Sequence, residues 1–235
     1  MASQLCVFNH SPVRLNPYEV AVFVNALNDV LRTAVARTWG FDAVPWVALS
    51  ERNISDTCMR LHLWETPQDA KDAGAFGVHR TQGPAYTPVA HVFLQPIAQR
   101  KEAWTVIASH EVLEMVVNPR VNEYVLRGEV LWAKEVCDPV MGTTIEVNGV
   151  KLANFVYPEF FVDGADGPFD HARVLTKPFT LAPTGYASVT SFPVGTPFRR
   201  DIYGDIPHET PPAFPPPGRP ALDRHQRLRM VCPAA

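Results

Sequence analysis

At 235 residues, with 46% hydrophobic and 19% charged residues, the chain is long enough to bury a substantial core as one large domain, with or without a tail. A formal net charge of −3 provides no basic surface for nucleic acid or an anionic membrane, and neither partner is expected. The 23 prolines, roughly twice ordinary usage, predict loops and short elements rather than a helical bundle.

The opening "MASQLCVFNHSP" has neither the basic start nor the apolar run of a signal peptide. No apolar stretch is long enough to span a bilayer, so the expectation is a soluble cytoplasmic protein. Cys6, Cys58, Cys137 and Cys232 are far apart and form no CxxC pair. They read as buried free thiols rather than a zinc ribbon or a disulfide scaffold.

The first predicted element is a helix over "NPYEVAVFVNALNDVLRTAVARTWG", residues 16–40. Asn16 is its N-cap, Pro17 takes the first helical position and Glu19 lies in the first turn. Val20, Phe23, Val24, Leu27, Val30 and Leu31 form an apolar stripe at helical spacing, and Gly40 suits the stop. "VPWVAL" (44–49) and "CMRLHLW" (58–64) read as strands, the second alternating. "TPQDAKDAG" reads as a turn or short helical link before two more strands, "AFGVHR" and "PVAHVFLQP".

A second long helix is predicted over about residues 101–118, stopped by Pro119. Beyond residue 125 the pattern is short strands and turns, "EVLWAKEVCDPV" and "TTIEVNGVKLANFVYPEFF", with a hairpin turn at "VNGV". From residue 191 the chain is Pro-rich. That extension is expected to lack a core of its own and to wrap, link or stay mobile, with a protein partner or another subunit as its contact.

Within the second helix lies "AWTVIASHEVLEMVVNP", residues 103–119. Its HEVLE resembles the HExxH of zinc peptidases, with glutamate in place of the second histidine. Residues four apart share a helix face, so His110 and Glu114 can hold one cation. Glu111 is rotated about 100° from His110, beside the ion, where a carboxylate takes a proton from the attacking water. A glutamate ligand makes the site harder and more anionic, so Zn2+ is expected with other divalent cations as alternatives. An i,i+4 hydrogen-bonded pair at a helix edge is the competing reading. Against it, His110 and Glu114 sit among Ile107, Leu113 and Val117, where each polar group buried without a partner would cost about 1–3 kcal/mol.

A third ligand should lie downstream. "AKEVCDPV" offers Glu135 and Asp138. On a strand the two would face opposite sides, one binding metal and the other orienting a ligand. A turn at Asp138–Pro139 would instead bring both inward. Cys137 is a softer candidate, read mainly as a buried thiol. His79, in "GAFGVHRTQGPAY", is a candidate ligand or substrate contact, one strand unit before the helix. Tyr124, Tyr157 and Tyr186 could each stabilise an oxyanion, and nothing in the spacing selects among them; His171 is left unassigned.

The run "DAGAFGVHR", "GPAYTPVAHVFLQ", "WTVIASHEVLEMVVNP", "EVCDPV", "VNGVKLANFVYPEFF", "GPFDH" and "GYASV" resembles little-characterised bacterial and bacteriophage HExxE proteins over roughly residues 60–190. It is more distantly similar to phosphate-induced (exordium-like) proteins and to the zincin metallopeptidase core. The resemblance implies a metal site at His110, Glu111, Glu114, Glu135 and Asp138, with His79 as an outlying member. It also implies an edge strand ahead of the helix that holds an extended peptide. The chain departs from full zincins in lacking the second histidine, and Arg120 stands where a longer motif has its third.

The expectation is therefore an α+β, zincin-like domain over residues 1–190, with a mixed sheet, an N-terminal helix and a metal-site helix, followed by a Pro-rich extension over 191–235. Its expected function is that of a metal-dependent hydrolase acting on a peptide or protein, with Glu111 and His79 as catalytic groups. The alternative is a non-catalytic, metal-braced structural or interaction protein of bacteriophage origin, associated with the virion.

Overall fold

In a computed structural model describing residues 4–49, 58–191 and 199–203, with side chains described as far as residue 190, the chain begins with a strand that patterning did not announce. In β1 (Gln4–Asn9) Leu5, Cys6 and Val7 are all buried, so the run lacks the alternation that marks a half-exposed strand. It is followed in chain order by β2 (Trp46–Leu49), β3 (Met59–Trp64), β4 (Gly77–Gln82) and β5 (Thr87–Phe93). These five form one mixed sheet in the order β2-β1-β3-β5-β4. All neighbours are parallel except β4, which runs antiparallel to β5 at one edge.

Helix α1 (Pro17–Val30) starts as its sequence dictates. Asn16 and Glu19 complete a capping box and Pro17 stands at the first turn. A π turn at Leu31–Val35 interrupts it before the short α2 (Ala36–Trp39), and Gly40 closes the run in the left-handed conformation, φ 65°. The Asn28 amide, buried on α1, bonds both backbone groups of Val47 at 2.8 and 2.9 Å and ties the helix to edge strand β2. The strand expected to run through "FLQP" stops at Phe93, and Leu94–Gln99 is a short helix, α3. Pro96 fits there because the first-turn N–H groups have no helical partner to lose.

Helix α4 (Trp104–Val117) crosses the centre of the molecule. Every residue from Ala108 to Val117 is buried, because the sheet covers one side and later segments cover the other. The chain beyond α4 forms two antiparallel units, of which the second packs on the helix. One is a four-stranded sheet in the order β11-β10-β7-β6, built from β6 (Tyr124–Arg127), β7 (Val130–Ala133), β10 (Tyr186–Ser191) and β11 (Arg199–Tyr203). The other is the hairpin of β8 (Thr144–Val147) and β9 (Val150–Ala153), turned by Asn148 and Gly149 at φ 53° and 76°. Ser109 Oγ accepts the Ala153 N–H at 2.8 Å and fixes β9 to α4.

The architecture is thus α+β, a mixed sheet with few helices. β10 and β11 continue the second sheet past residue 190, while 192–198 and 204–235 of the Pro-rich extension lie outside the described residues. Among the described residues no helix is long and apolar enough to cross a membrane. Cys6, Cys58 and Cys137 are buried and free; Cys232 falls outside the described residues.

Candidate metal centre

The sheet alternates, and that alternation delivers the first site residue. On β4, His79 stands opposite Ala90, on the face that α4 covers, while Val78 stands opposite His91 on the other face. Two residues earlier on the same face is Gly77. A Cβ built there would lie 2.7 Å from Glu111 Oε1 and 2.9 Å from Ile107 Cγ2, so only glycine lets α4 come this close to the edge strand.

From α4, His110, Glu111 and Glu114 reach the same volume. His79 Nδ1 lies 3.0 Å from Glu111 Oε2 and 3.5 Å from Glu114 Oε2. His110 Nε2 lies 3.4 Å from Glu114 Oε2, the i,i+4 neighbour that helix geometry provides. Helix spacing alone would leave this a simple pair; what makes it a centre is the segment after β7.

That segment does not continue as a strand. β7 ends at Ala133, and Asp138 opens a 3₁₀ turn with Pro139, which lacks the N–H a ladder would need. The Val156 N–H bonds Val136 O at 2.7 Å and the Ala182 N–H bonds Pro139 O at 2.8 Å, so the turn's backbone is satisfied from outside. Gly185 permits that contact, since a Cβ on it would fall 2.1 Å from Pro139 O. Glu135 and Asp138 therefore both point inward, and both are buried. Glu135 Oε2 is 3.3 Å from His79 Nε2, and Asp138 Oδ1 is 3.2 Å from His110 Nε2. The strand geometry that would separate them does not apply.

Six side chains from three parts of the chain thus converge. The ligating atoms of His110, Glu114 and Asp138 lie within 4.8 Å of one another, and so do those of His79, Glu114 and Glu135. Donors held about 2.1 Å from a cation in tetrahedral array stand about 3.4 Å apart, which is the spacing around His110 Nε2. The residues present fit a divalent cation. The nitrogen-and-carboxylate donor set suits zinc, manganese or iron.

The electrostatics of the ion-free centre point the same way. Burial by itself lowers an imidazole, yet the charge and close approach of Glu135, the hydrogen bond of Glu111 and the charge of Glu114 raise His79 to about 10. His110 is raised well above its ordinary value, burial being overcome by Glu114, Asp138 and Glu111. Burial and the neighbouring Asp138 charge push Glu114 up to about 7, against the opposing pull of His110. The converging acids favour the protonated form of both imidazoles, and a metal would have to displace those protons. The Cys137 thiol is pushed well up by burial and four nearby carboxylates, so it stays neutral; its contribution is its backbone N–H, given to Glu114 Oε1 at 3.2 Å.

A cleft opens beside the centre between β4, α4 and the 140–143 turn. Phe76, Val106, Ile107, Val140 and Met141 make its walls mostly apolar, and His110 and Glu111 border it. Among the described residues lining it there is no tyrosine. Tyr186 is buried, and the Tyr157 hydroxyl is 2.8 Å from His171 Nδ1, a ring stacked on Phe155. The oxyanion role considered for Tyr124, Tyr157 and Tyr186 finds no support in that placement, and His171 belongs to the packing around Phe155. Gly77, Gly185 and the Cys137 N–H escaped the sequence reading. The signal for Gly77 was a glycine inside a strand pattern two residues before a histidine.

No model of a known family matches the chain, no curated protein matches it, and no solved structure matches it.

Proposed function

We propose that the protein is a metal-dependent hydrolase whose substrate is a peptide or protein. The observation that carries this is the burial of His110, Glu114 and Asp138 at mutual ligand spacing, with Glu111 on the adjacent helix position at the mouth of an apolar cleft. A divalent cation held by those three residues would polarise a carbonyl and lower the pKa of water. Glu111 is the group that takes the proton from the attacking water and passes it to the leaving amine. His79 positions it, by donating Nδ1–H to Glu111 Oε2 across 3.0 Å.

The edge strand supports a peptide substrate. β4 is terminal in the sheet among the described residues, and Phe76 and Gly77 bring its start to the cleft. An extended chain laid along β4 would take backbone hydrogen bonds there and pass over His110 and Glu111. The sequence of antiparallel edge strand, metal helix and downstream carboxylate supports the zincin-like reading and the resemblance to bacterial and bacteriophage HExxE proteins. Zn2+ is the first ion to test.

Glu111→Gln should lower peptide hydrolysis by about 10²–10⁴-fold with metal content unchanged. Undiminished turnover in that variant would exclude the mechanism. A second reading rests on the way the centre ties β4, α4 and the 135–138 segment together: an ion that only braces an interaction protein, with the Pro-rich extension contacting a partner. Stability that falls on chelation, with no cleavage of an unbiased peptide mixture by the metal-loaded chain, would decide for that reading.

A further inference from the structure

The three ligands assigned above leave His79 and Glu135 to be explained. His79 is 5% exposed at its side chain, and its two nitrogens have different surroundings. Nδ1 faces Glu111 Oε2 at hydrogen-bond distance. Nε2 makes no hydrogen bond of good geometry among the described residues, although Glu135 Oε2 lies 3.3 Å away. In the deprotonated ring, an Nδ1–H donated to a carboxylate fixes the tautomer, and the Nε2 lone pair is turned toward the volume that Glu135 also faces. That is the arrangement of a metal-ligating histidine held by a neighbouring acid.

We propose that the centre takes two divalent cations: an outer one on His110 and Asp138, an inner one on His79 and Glu135, with Glu114 shared between them. The proposal rests on the hydrolase reading of the outer position and extends it. Glu114 is built for sharing. Its Oε1 is anchored by the Cys137 N–H at 3.2 Å, which leaves Oε2 at 3.4 Å from His110 Nε2 and beside the His79 ring. Both ligand groups contain it.

Charge argues for the same count. Glu111, Glu114, Glu135 and Asp138 are all buried, so a single divalent ion at the outer position leaves the pocket with an excess of negative charge. Uncompensated buried charge is costly, several kcal/mol per ion after relaxation. Two divalent cations balance four carboxylates with both histidines neutral, the form in which they ligate. The two positions differ in access. His110 borders the cleft, whereas His79 is not among the residues lining it. The outer cation would meet substrate, and the inner one would hold Glu114 and Glu135 in place and add positive field behind the reacting carbonyl. Paired catalytic ions typically stand about 3.5–4 Å apart, a separation that one shared carboxylate oxygen sets.

Equilibrium dialysis of the full chain, stripped with chelator and exposed to Zn2+, tests this by elemental analysis. Two ions per chain are expected, falling to one in Glu135→Gln and in His79→Gln. One ion in the parent chain overturns the inner position and leaves the hydrolase reading intact; none overturns both. Two ions retained in either variant also overturns the inner position. Should one variant fail to fold, the parent stoichiometry and the other variant still decide. With Mn2+ in place of Zn2+, low-temperature electron paramagnetic resonance should show an exchange-coupled pair. Two magnetically isolated ions would overturn the sharing of Glu114.

Discussion

The two faces of the five-stranded sheet carry histidines of opposite character. His79 on β4 faces α4 and three carboxylates, while His91 on the neighbouring strand faces the other way, into a row with His62, Phe8, His10 and Trp64. In that row the rings stack, with His62 at 4.8 Å from Phe8, 5.1 Å from His10 and 5.3 Å from His91. His10 Nε2 meets His62 Nδ1 at 2.8 Å, and Trp64 donates to His91 Nδ1 at 3.0 Å. Burial depresses His62 to about 3 and His91 to about 4, helped by their cationic or imidazole neighbours. On the other face burial acts in the same direction and loses to the converging acids. The lesson is that neither residue type nor burial assigns a histidine its task. The partners across the next layer do, and at the centre those partners are supplied by a helix and a turn distant in sequence.

The largest effect should come from removing the shared acid. Glu114→Gln takes a charged donor from both ligand groups of the centre, and metal affinity should fall by more than the roughly 10–100-fold typical of losing an outer hydrogen-bond partner. His62→Phe, on the opposite face, should leave metal content unchanged. Competition against a chromogenic chelator measures both. A Glu114→Gln protein that binds Zn2+ as tightly as the parent would remove the distinction between the two faces.

Much of this contrast was legible in the chain before the fold was known. The i,i+4 spacing of His110 and Glu114 is helix geometry, and α4 realises it because Pro119 stops the helix after both have passed. α1 likewise follows from Asn16, Pro17, Glu19 and Gly40. What escaped was the part decided by tertiary packing. Leu5, Cys6 and Val7 show no alternation because both faces of β1 are covered. The 134–140 segment has the apolar content of a strand, but Pro139 and the contacts from Val156 and Ala182 turn it, and both acids go inward. His79 could be placed on a strand from sequence. Which face it took depended on the register with β5, a non-local pairing.

A smaller effect is expected at the contact that lets the faces differ. Gly77→Ala would put a methyl carbon 2.7 Å from Glu111 Oε1 and 2.8 Å from its Cγ, so the carboxylate must shift away from His79. Overpacking of this kind costs about 1–3 kcal/mol, or a melting midpoint lower by roughly 2–4 °C per kcal/mol for a chain of this size. Hydrolysis should fall further than stability alone explains, because Glu111 loses its register with the cleft. Thermal unfolding with zinc bound, read beside turnover at saturating peptide, separates the two. A variant with the parent's midpoint and turnover would mean that the backbone yields without cost, and that the close approach is incidental.

The smallest effect is the dependence of stability on pH in the metal-free protein, where the two faces should act in opposite directions. His62 and His91 have depressed values when folded, so between about pH 6.5 and 4 the unfolded chain binds their protons and the folded chain does not. Their contribution to stability there falls as pH falls. His79 is raised to about 10, so its contribution is complete below about pH 6.5 and disappears as pH rises through about 10. Urea midpoints measured in chelator across this range should trace both limbs. His62→Phe keeps a ring against Phe8 and His91 but cannot take a proton, so it should flatten the acid limb and leave the alkaline one unchanged. Loss of the alkaline limb in that variant would show that the two faces titrate as one system rather than as separate histidine environments.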